Sequence, residues 1–378
     1  MVRRPGVAFL PVAVVLFLLA ACSGTPESAR PKDLPEIAQP VPVREVWRVG
    51  LGAGEDYVFQ PAVTGKSVFV AAADGEMVRI DNGRRAWSAS PVRALSGGVA
   101  ANERLVVAGT LKGDVLALNP DNGQLVWRSQ VGSEVVAPAA LLDDVVVVRT
   151  GDNRLYGLDA RNGQRKWVYQ RPNPALSVRV TVAPVVADRL VFVGYPGGKV
   201  VAVNADSGQA VWEGTVALPK GATEIERMSD VVAAPVIGAR EVCAVTHLGR
   251  AACFDLNNGN LLWARDMSST AGLALDNKAV YVADDQGIVH ALDRTSGSTL
   301  WKQDKLVNRR LTTPLLNQGF VAMADDQGFL HVLDRETGAF KGRLSLDAGR
   351  IDARPMAYES GFVMLARKGL LTLLQIAP

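Results

Sequence analysis

The chain has 378 residues, 48% of them apolar and 21% charged, with a net charge of +3 at pH 7. A balance this even, without a long basic run, excludes a partner held through nucleic-acid phosphates. Residues 44–378 exceed what one hydrophobic core ordinarily organises, which excludes a simple single-core domain and points to a modular architecture.

At the N-terminus, Arg3-Arg4 precedes an apolar run from Val7 to Ala20. The run is too short to span a bilayer and has the size of a secretory signal. Residues 1–21 therefore read as a signal peptide and the chain as exported. The run closes on Leu19-Ala20-Ala21-Cys22, which resembles the lipobox of bacterial lipoproteins, where the cysteine is diacylated on sulfur and becomes the first mature residue. That resemblance implies lipidation at Cys22, and Ser23 in place of an aspartate implies sorting to the outer membrane. Ser23 to Pro42 carries five prolines and few apolar residues, so residues 22–43 read as an extended tether of about 60 Å at most.

From Trp47 onward a bulky aromatic recurs as Trp47, Trp87, Trp127, Trp167, Trp212, Trp263, Trp301 and Phe340, at steps of 40, 40, 40, 45, 51, 38 and 39 residues. A period near forty is the signature of a repeat architecture. Each aromatic follows a turn, as in Asp159 to Gly163 before Trp167 and Asp293 to Gly297 before Trp301; Asn119 and Asn204 open the same turn elsewhere. Asp or Asn accepts hydrogen bonds from the turn amides, and Gly supplies the positive φ that closes it. Ahead of the turn lie further Val-rich runs, such as Val145 to Thr150 and Arg154 to Ala160, which read as antiparallel strands joined by hairpins.

One period is thus a four-stranded sheet. Such a sheet cannot bury two apolar faces alone, so the copies stack, and a ring leaves no terminal sheet uncovered. The predicted fold is all-β: an eight-bladed β-propeller over residues 44–378, with each aromatic wedged between neighbouring blades. Inner strands start near Pro61, Gly98, Pro138, Pro184, Pro235, Gly272, Pro314 and Pro355. The last set lacks an aromatic strand after it, and Glu45 to Val49 lacks inner strands before it. The N-terminal strand is therefore expected to complete the last blade and close the ring.

Two intervals exceed the period, with the extra residues in Arg171 to Val182 and Glu213 to Val232. Both connections run from the outer strand of one blade to the inner strand of the next, so they emerge on one face, where repeat proteins place binding. Apolar residues beside charge, Leu176, Val178 and Arg179 in the first and Asp230 in the second, suggest a protein contact. Cys243 and Cys253 flank the hairpin Val245 to Arg250; a disulfide in an oxidising compartment and two buried thiols are both open readings. His290 and His331 hold matching positions filled elsewhere by Val78, Leu116, Tyr156, Val201 and Ala252, and they read as structural, as do the corner pairs Asp284-Asp285 and Asp325-Asp326. No metal-ligand or nucleophile pattern recurs, so neither a catalytic residue nor a cofactor is predicted.

The turn-and-Trp repeat is similar to that of quinoprotein dehydrogenases. Those enzymes carry adjacent cysteines and a calcium-bound quinone, and no two cysteines are adjacent here. A periplasmic quinoprotein oxidoreductase is the rival reading, and a propeller scaffold of another envelope complex a third. Lipobox, proline-rich tether, eight-bladed repeat and the two long connections together resemble the BamB family of lipoproteins of the outer-membrane β-barrel assembly (BAM) machinery. In that family a Leu-Ser-Leu-Arg loop and a Ser-Asp-Val-Asp loop contact the periplasmic POTRA domains of the barrel subunit BamA. Here they read Leu176-Ser177-Val178-Arg179 and Ser229-Asp230-Val231-Val232, with Val232 in place of the second acid. The resemblance implies a non-enzymatic scaffold anchored through Cys22 to the periplasmic face of the outer membrane. Its implied partners are a BamA-like subunit, the other BAM lipoproteins and unfolded outer-membrane protein clients.

Overall fold

A computed structural model describes residues 30–172, 174, 176–177, 182–219, 221–223 and 228–377. These residues form eight four-stranded antiparallel sheets, arranged as an eight-bladed β-propeller. Seven sheets take their four strands in sequence order. Blade 4, for example, runs Val185–Ala187, Leu190–Tyr195, Lys199–Asn204, Ala210–Thr215. The eighth pairs Met356–Tyr358, Gly361–Leu365 and Leu370–Ile376 with the N-terminal strand Val43–Gly50 on its outer side. Val43 opposes Ile376 and Gly50 opposes Leu370, so the expected closure by the N-terminal strand is borne out. The innermost strand of blade 8 also touches that of blade 1.

The core lies between blades rather than within any one of them. One cluster joins Val107, Val115 and Ala117 of blade 2 to Val146, Val148 and Tyr156 of blade 3. The next joins Val145, Val147 and Leu155 to Val191, Val193 and Val201 of blade 4. Alternation within each strand sends one set of side chains to each neighbour, as a period of two requires.

Six of the eight repeated aromatics fasten one blade to the next in a constant way. The indole N–H of Trp87 donates to Pro120 O at 2.8 Å, Trp127 to Ala160 O at 2.9 Å and Trp167 to Ala205 O at 2.7 Å. Trp212, Trp263 and Trp301 donate likewise to Leu256, Arg294 and Arg335. Each acceptor is the second residue of the following blade's turn. The turn's first residue holds it, as where Asp293 Oδ1 accepts from the amides of Thr295 and Ser296 at 3.0 and 2.8 Å. Phe340 falls where this scheme has no acceptor. Its neighbour is blade 8, whose outer strand arrives from the N-terminus, so no chain turn faces residue 340.

The tether differs from expectation over its C-terminal part. Residues 31–42 lie against the ring: Lys32 N donates to Val307 O at 3.1 Å and Val41 N to Lys341 O at 2.6 Å. Arg309 Nη2 and Arg343 Nη2 donate to Lys32 O and Pro35 O at 3.3 and 2.9 Å. Leu34 packs on the apolar cluster containing Leu306 and Leu333. Proline removes an amide donor but keeps its carbonyl, and Arg343 takes up that of Pro35 while Arg309 takes up that of Lys32. Compact structure therefore starts at Pro31 rather than after residue 43.

Candidate functional site

In an antiparallel four-stranded blade, the entry to the first strand, the turn from second to third and the exit of the fourth all lie at one end. Both long connections therefore share a face with the second-to-third hairpins. The second insertion starts at Val216, because Glu213 to Thr215 pair with Lys199 to Val201 as part of the outer strand; this shortens the stretch expected from sequence.

The hairpin at Tyr195–Lys199 of blade 4 is the meeting point of the two insertions. Arg171, at the root of the first, has its guanidinium carbon 5.2 Å from the centre of the Tyr195 ring, as does Arg149 from blade 3. Arg171 also pairs with Glu213 at 3.2 Å, and Lys199 pairs with Glu213 at 3.0 Å. Both ends of the second insertion attach to the same hairpin. Val216 N donates to Gly198 O at 2.8 Å, Val231 N to Tyr195 O at 3.3 Å, and Gly197 N to Asp230 Oδ1 at 2.9 Å. Gly198 holds φ +71°, and a Cβ there would strike the Ala217 carbonyl, so only glycine lets the insertion approach this closely.

Arg149 is buried, and burial pushes its pKa down to about 10. Its Nη2 donates to Asn153 Oδ1 at 2.7 Å, but its Nε has no partner among the described residues. Tyr195 is fully enclosed and its hydroxyl also lacks a partner there; burial raises its pKa.

The contact residues expected from sequence fall into three groups. Leu176 is 44% exposed. Val178 and Arg179 lie outside the described residues, as does Cys22. Asp230 is 1% exposed, which corrects the expectation of a surface acid: its side chain turns inward to the Gly197 amide. Val232 is half-buried on the wall of the central channel.

Two exposed leucines on the same face escaped the sequence reading. Ala217 packs on Gly249, and the adjacent Leu218 and Leu248 are 68% and 48% exposed. Leu248 also holds φ +55°, an uncommon state for a branched side chain. A signal was available, because the third position of the equivalent turns is Asp74, Lys112, Asp152, Gly197, Gln286, Gln327 and Lys368. Leu248 is the apolar exception in a polar register.

The channel encloses about 850 Å³ between Val/Ala/Pro walls and the charged corners of blades 5 to 8. The corner carboxylates are occupied, Asp284 and Asp325 within their own blades and Asp285 across to the neighbouring blade 5 hairpin. Asp284 meets His290 Nε2 at 2.9 Å, Asp285 meets His247 Nδ1 at 3.1 Å, and Asp325 meets His331 Nε2 at 2.9 Å. Among the described residues, no three His, Cys, Asp or Glu side chains gather to hold a metal. Cys243 and Cys253 oppose each other across paired strands and are joined in a disulfide, with Cα atoms 4.0 Å apart.

A closed ring of Trp-clamped blades, with its polar corners paired among themselves and its insertions gathered on one face, defines a propeller of the scaffold class. The sequence profile of the family described as outer membrane protein assembly factor BamB matches residues 79–303 and 285–375. The outer membrane protein assembly factor BamB of Bordetella pertussis is 38% identical over 380 residues, covering 98% of each chain. That of Nitrosomonas eutropha is 40% identical over 340 residues, 87% of this chain and 81% of its own. The crystal structure of BamB from Moraxella catarrhalis superposes with a TM-score of 0.82 at 26% identity, covering 88% of this chain and 99% of that one. The chain belongs to the BamB family.

Proposed function

We propose that this chain is a non-enzymatic scaffold of the outer-membrane β-barrel assembly complex that aids assembly and insertion of outer-membrane proteins. It is lipid-anchored through Cys22 on the periplasmic face and docks through its insertion face onto the POTRA domains of a BamA-like subunit. The other lipoproteins of the complex and unfolded clients are its further partners. The observation that carries this reading is the attachment of both long insertions to one hairpin, with Leu176 of the first and Leu218 of the second exposed. A small apolar anchor beside an arginine suits docking, since arginine and well-enclosed apolar side chains dominate interface energetics. Arg179 is the assigned hot spot and Leu176 and Val178 its apolar support, with Asp230 holding the second insertion.

Co-purification with the barrel subunit from solubilised membranes tests it. Arg179→Glu and Leu176→Asp should each abolish recovery of that subunit while circular dichroism stays unchanged. Undiminished recovery with both variants rejects this docking site.

A further inference from the structure

We propose that the Tyr195–Lys199 hairpin is the element that sets both insertions in the geometry required for docking, with Tyr195 its positioning residue. This deepens the proposed function and rests on it. The attachments of the insertions come from chain segments far apart in sequence. Arg171 leads into the first insertion and stacks on the Tyr195 ring. Val216 and Val231, at the two ends of the second, are hydrogen-bonded to Gly198 O and Tyr195 O. Asp230 accepts from Gly197 N. A Cβ at Gly194 would strike Val231 and one at Gly198 would strike Ala217, so the second insertion lies against the hairpin backbone at both ends.

The chemistry at Tyr195 favours positioning over a simple filling role. An aromatic face attracts a guanidinium, more strongly when water is excluded, and two guanidinium groups approach this one ring. Placing Arg149 in the interior is costly, as its lowered pKa reflects. An aliphatic side chain would fill the same space without the π-face that the cations need. The hydroxyl has no partner among the described residues, so the ring rather than the oxygen performs the task. Asp230, being enclosed, acts through Gly197 and not by touching the partner.

The test measures binding of the mature chain to the purified barrel subunit in detergent by biolayer interferometry. Tyr195→Phe keeps the face and should bind as tightly as the unaltered protein. Tyr195→Leu should weaken binding about tenfold or more, the scale of one lost cation–π stack of order 1–2 kcal/mol. Arg171→Met, which also removes the Arg171–Glu213 pair, should do the same while leaving Arg149 and Tyr195 in place. Glu213→Gln, which removes the pair but keeps the stack, should bind as tightly as the unaltered protein. Together they keep the proposal open to refutation if the leucine variant fails to fold. A loss confined to Tyr195→Leu and Arg171→Met, rescued by phenylalanine, supports positioning. Unaltered affinity in Arg171→Met, or lost affinity in Tyr195→Phe, overturns it. If Leu176→Asp abolishes binding while Tyr195→Leu folds and binds normally, the docking reading stands and the hairpin assignment fails. If the unaltered protein does not bind the barrel subunit, the docking reading fails and takes this inference with it.

Discussion

The clamp between successive blades can be tested quantitatively at Trp167 and Gly208. The Trp167 indole donates to the enclosed Ala205 carbonyl at 2.7 Å, and its ring lies over Gly208, where a Cβ would come within 2.7 Å of ring carbons Cδ2 and Cε3. Trp167→Leu removes the donor and most of a side chain that is only 8% exposed. The orphaned carbonyl costs about 1–3 kcal/mol, and with the lost packing the total should reach about 3–4 kcal/mol. Gly208→Ala asks alanine to hold φ +72°, about 1–2 kcal/mol, and adds overlap with the indole of about 1–3 kcal/mol. In the double variant the overlap is relieved because the indole is gone. The double variant should therefore lose less than the sum of the two single losses by about 1–3 kcal/mol, a coupling expected only of residues in contact. Equilibrium urea unfolding followed by far-UV circular dichroism measures all four corners of this cycle. Additivity within about 0.5 kcal/mol would refute the account of why the turn glycine and the aromatic recur together.

Acid should weaken the protein through the enclosed pair His331 and Asp325. Burial holds the His331 pKa below its ordinary value, with Arg343 and Arg309 adding to the effect against the pull of Asp325. The unfolded chain therefore takes up a proton near pH 6.5 that the fold refuses, and stability falls as pH drops below that point. For Asp325, burial raises the pKa, but hydrogen bonds from His331, Phe329 N and Arg309 outweigh it and leave the net value lowered. Its contribution is present above about pH 4 and is lost as pH falls through the folded value. His331→Phe should flatten the decline in melting temperature between about pH 7.5 and pH 5.5; an unchanged slope rejects the assignment. Deleting residues 31–42 removes six hydrogen bonds to the ring and the Leu34 contact, and should cost about 3 kcal/mol or more at about 0.5–1.5 kcal/mol per bond. Urea unfolding checks this, and no loss would mean that the docked segment adds nothing to the ring.

Most of the architecture was legible in sequence because it is local and repeated. Each period carries its own strands, its Asp/Asn-to-Gly turn and its aromatic, and eight copies average away the noise of any one. Even the closure followed, since Trp47 lacks inner strands and the last inner set lacks an outer one. The candidate site was half legible. Excess length marked the two insertions, and Leu176 is indeed exposed, but burial of Asp230 was not visible, because an acid in a loop ordinarily faces water and nothing local announces the Gly197 amide that receives it. The docked segment escaped for the same reason: proline-rich composition describes a chain by itself, whereas Arg309 and Arg343 lie about three hundred residues downstream.

By itself, then, the sequence determined the number of blades, their strand order and the way the ring is clamped, all consequences of short-range periodicity and of one residue type wedged at one spacing. Only the tertiary structure decided that Arg149, Arg171, Tyr195, Glu213 and Asp230 form one assembly. Those residues come from two neighbouring blades and two loops and follow no common period. Their meeting depends on how neighbouring sheets face each other, a relation that exists once the ring has closed.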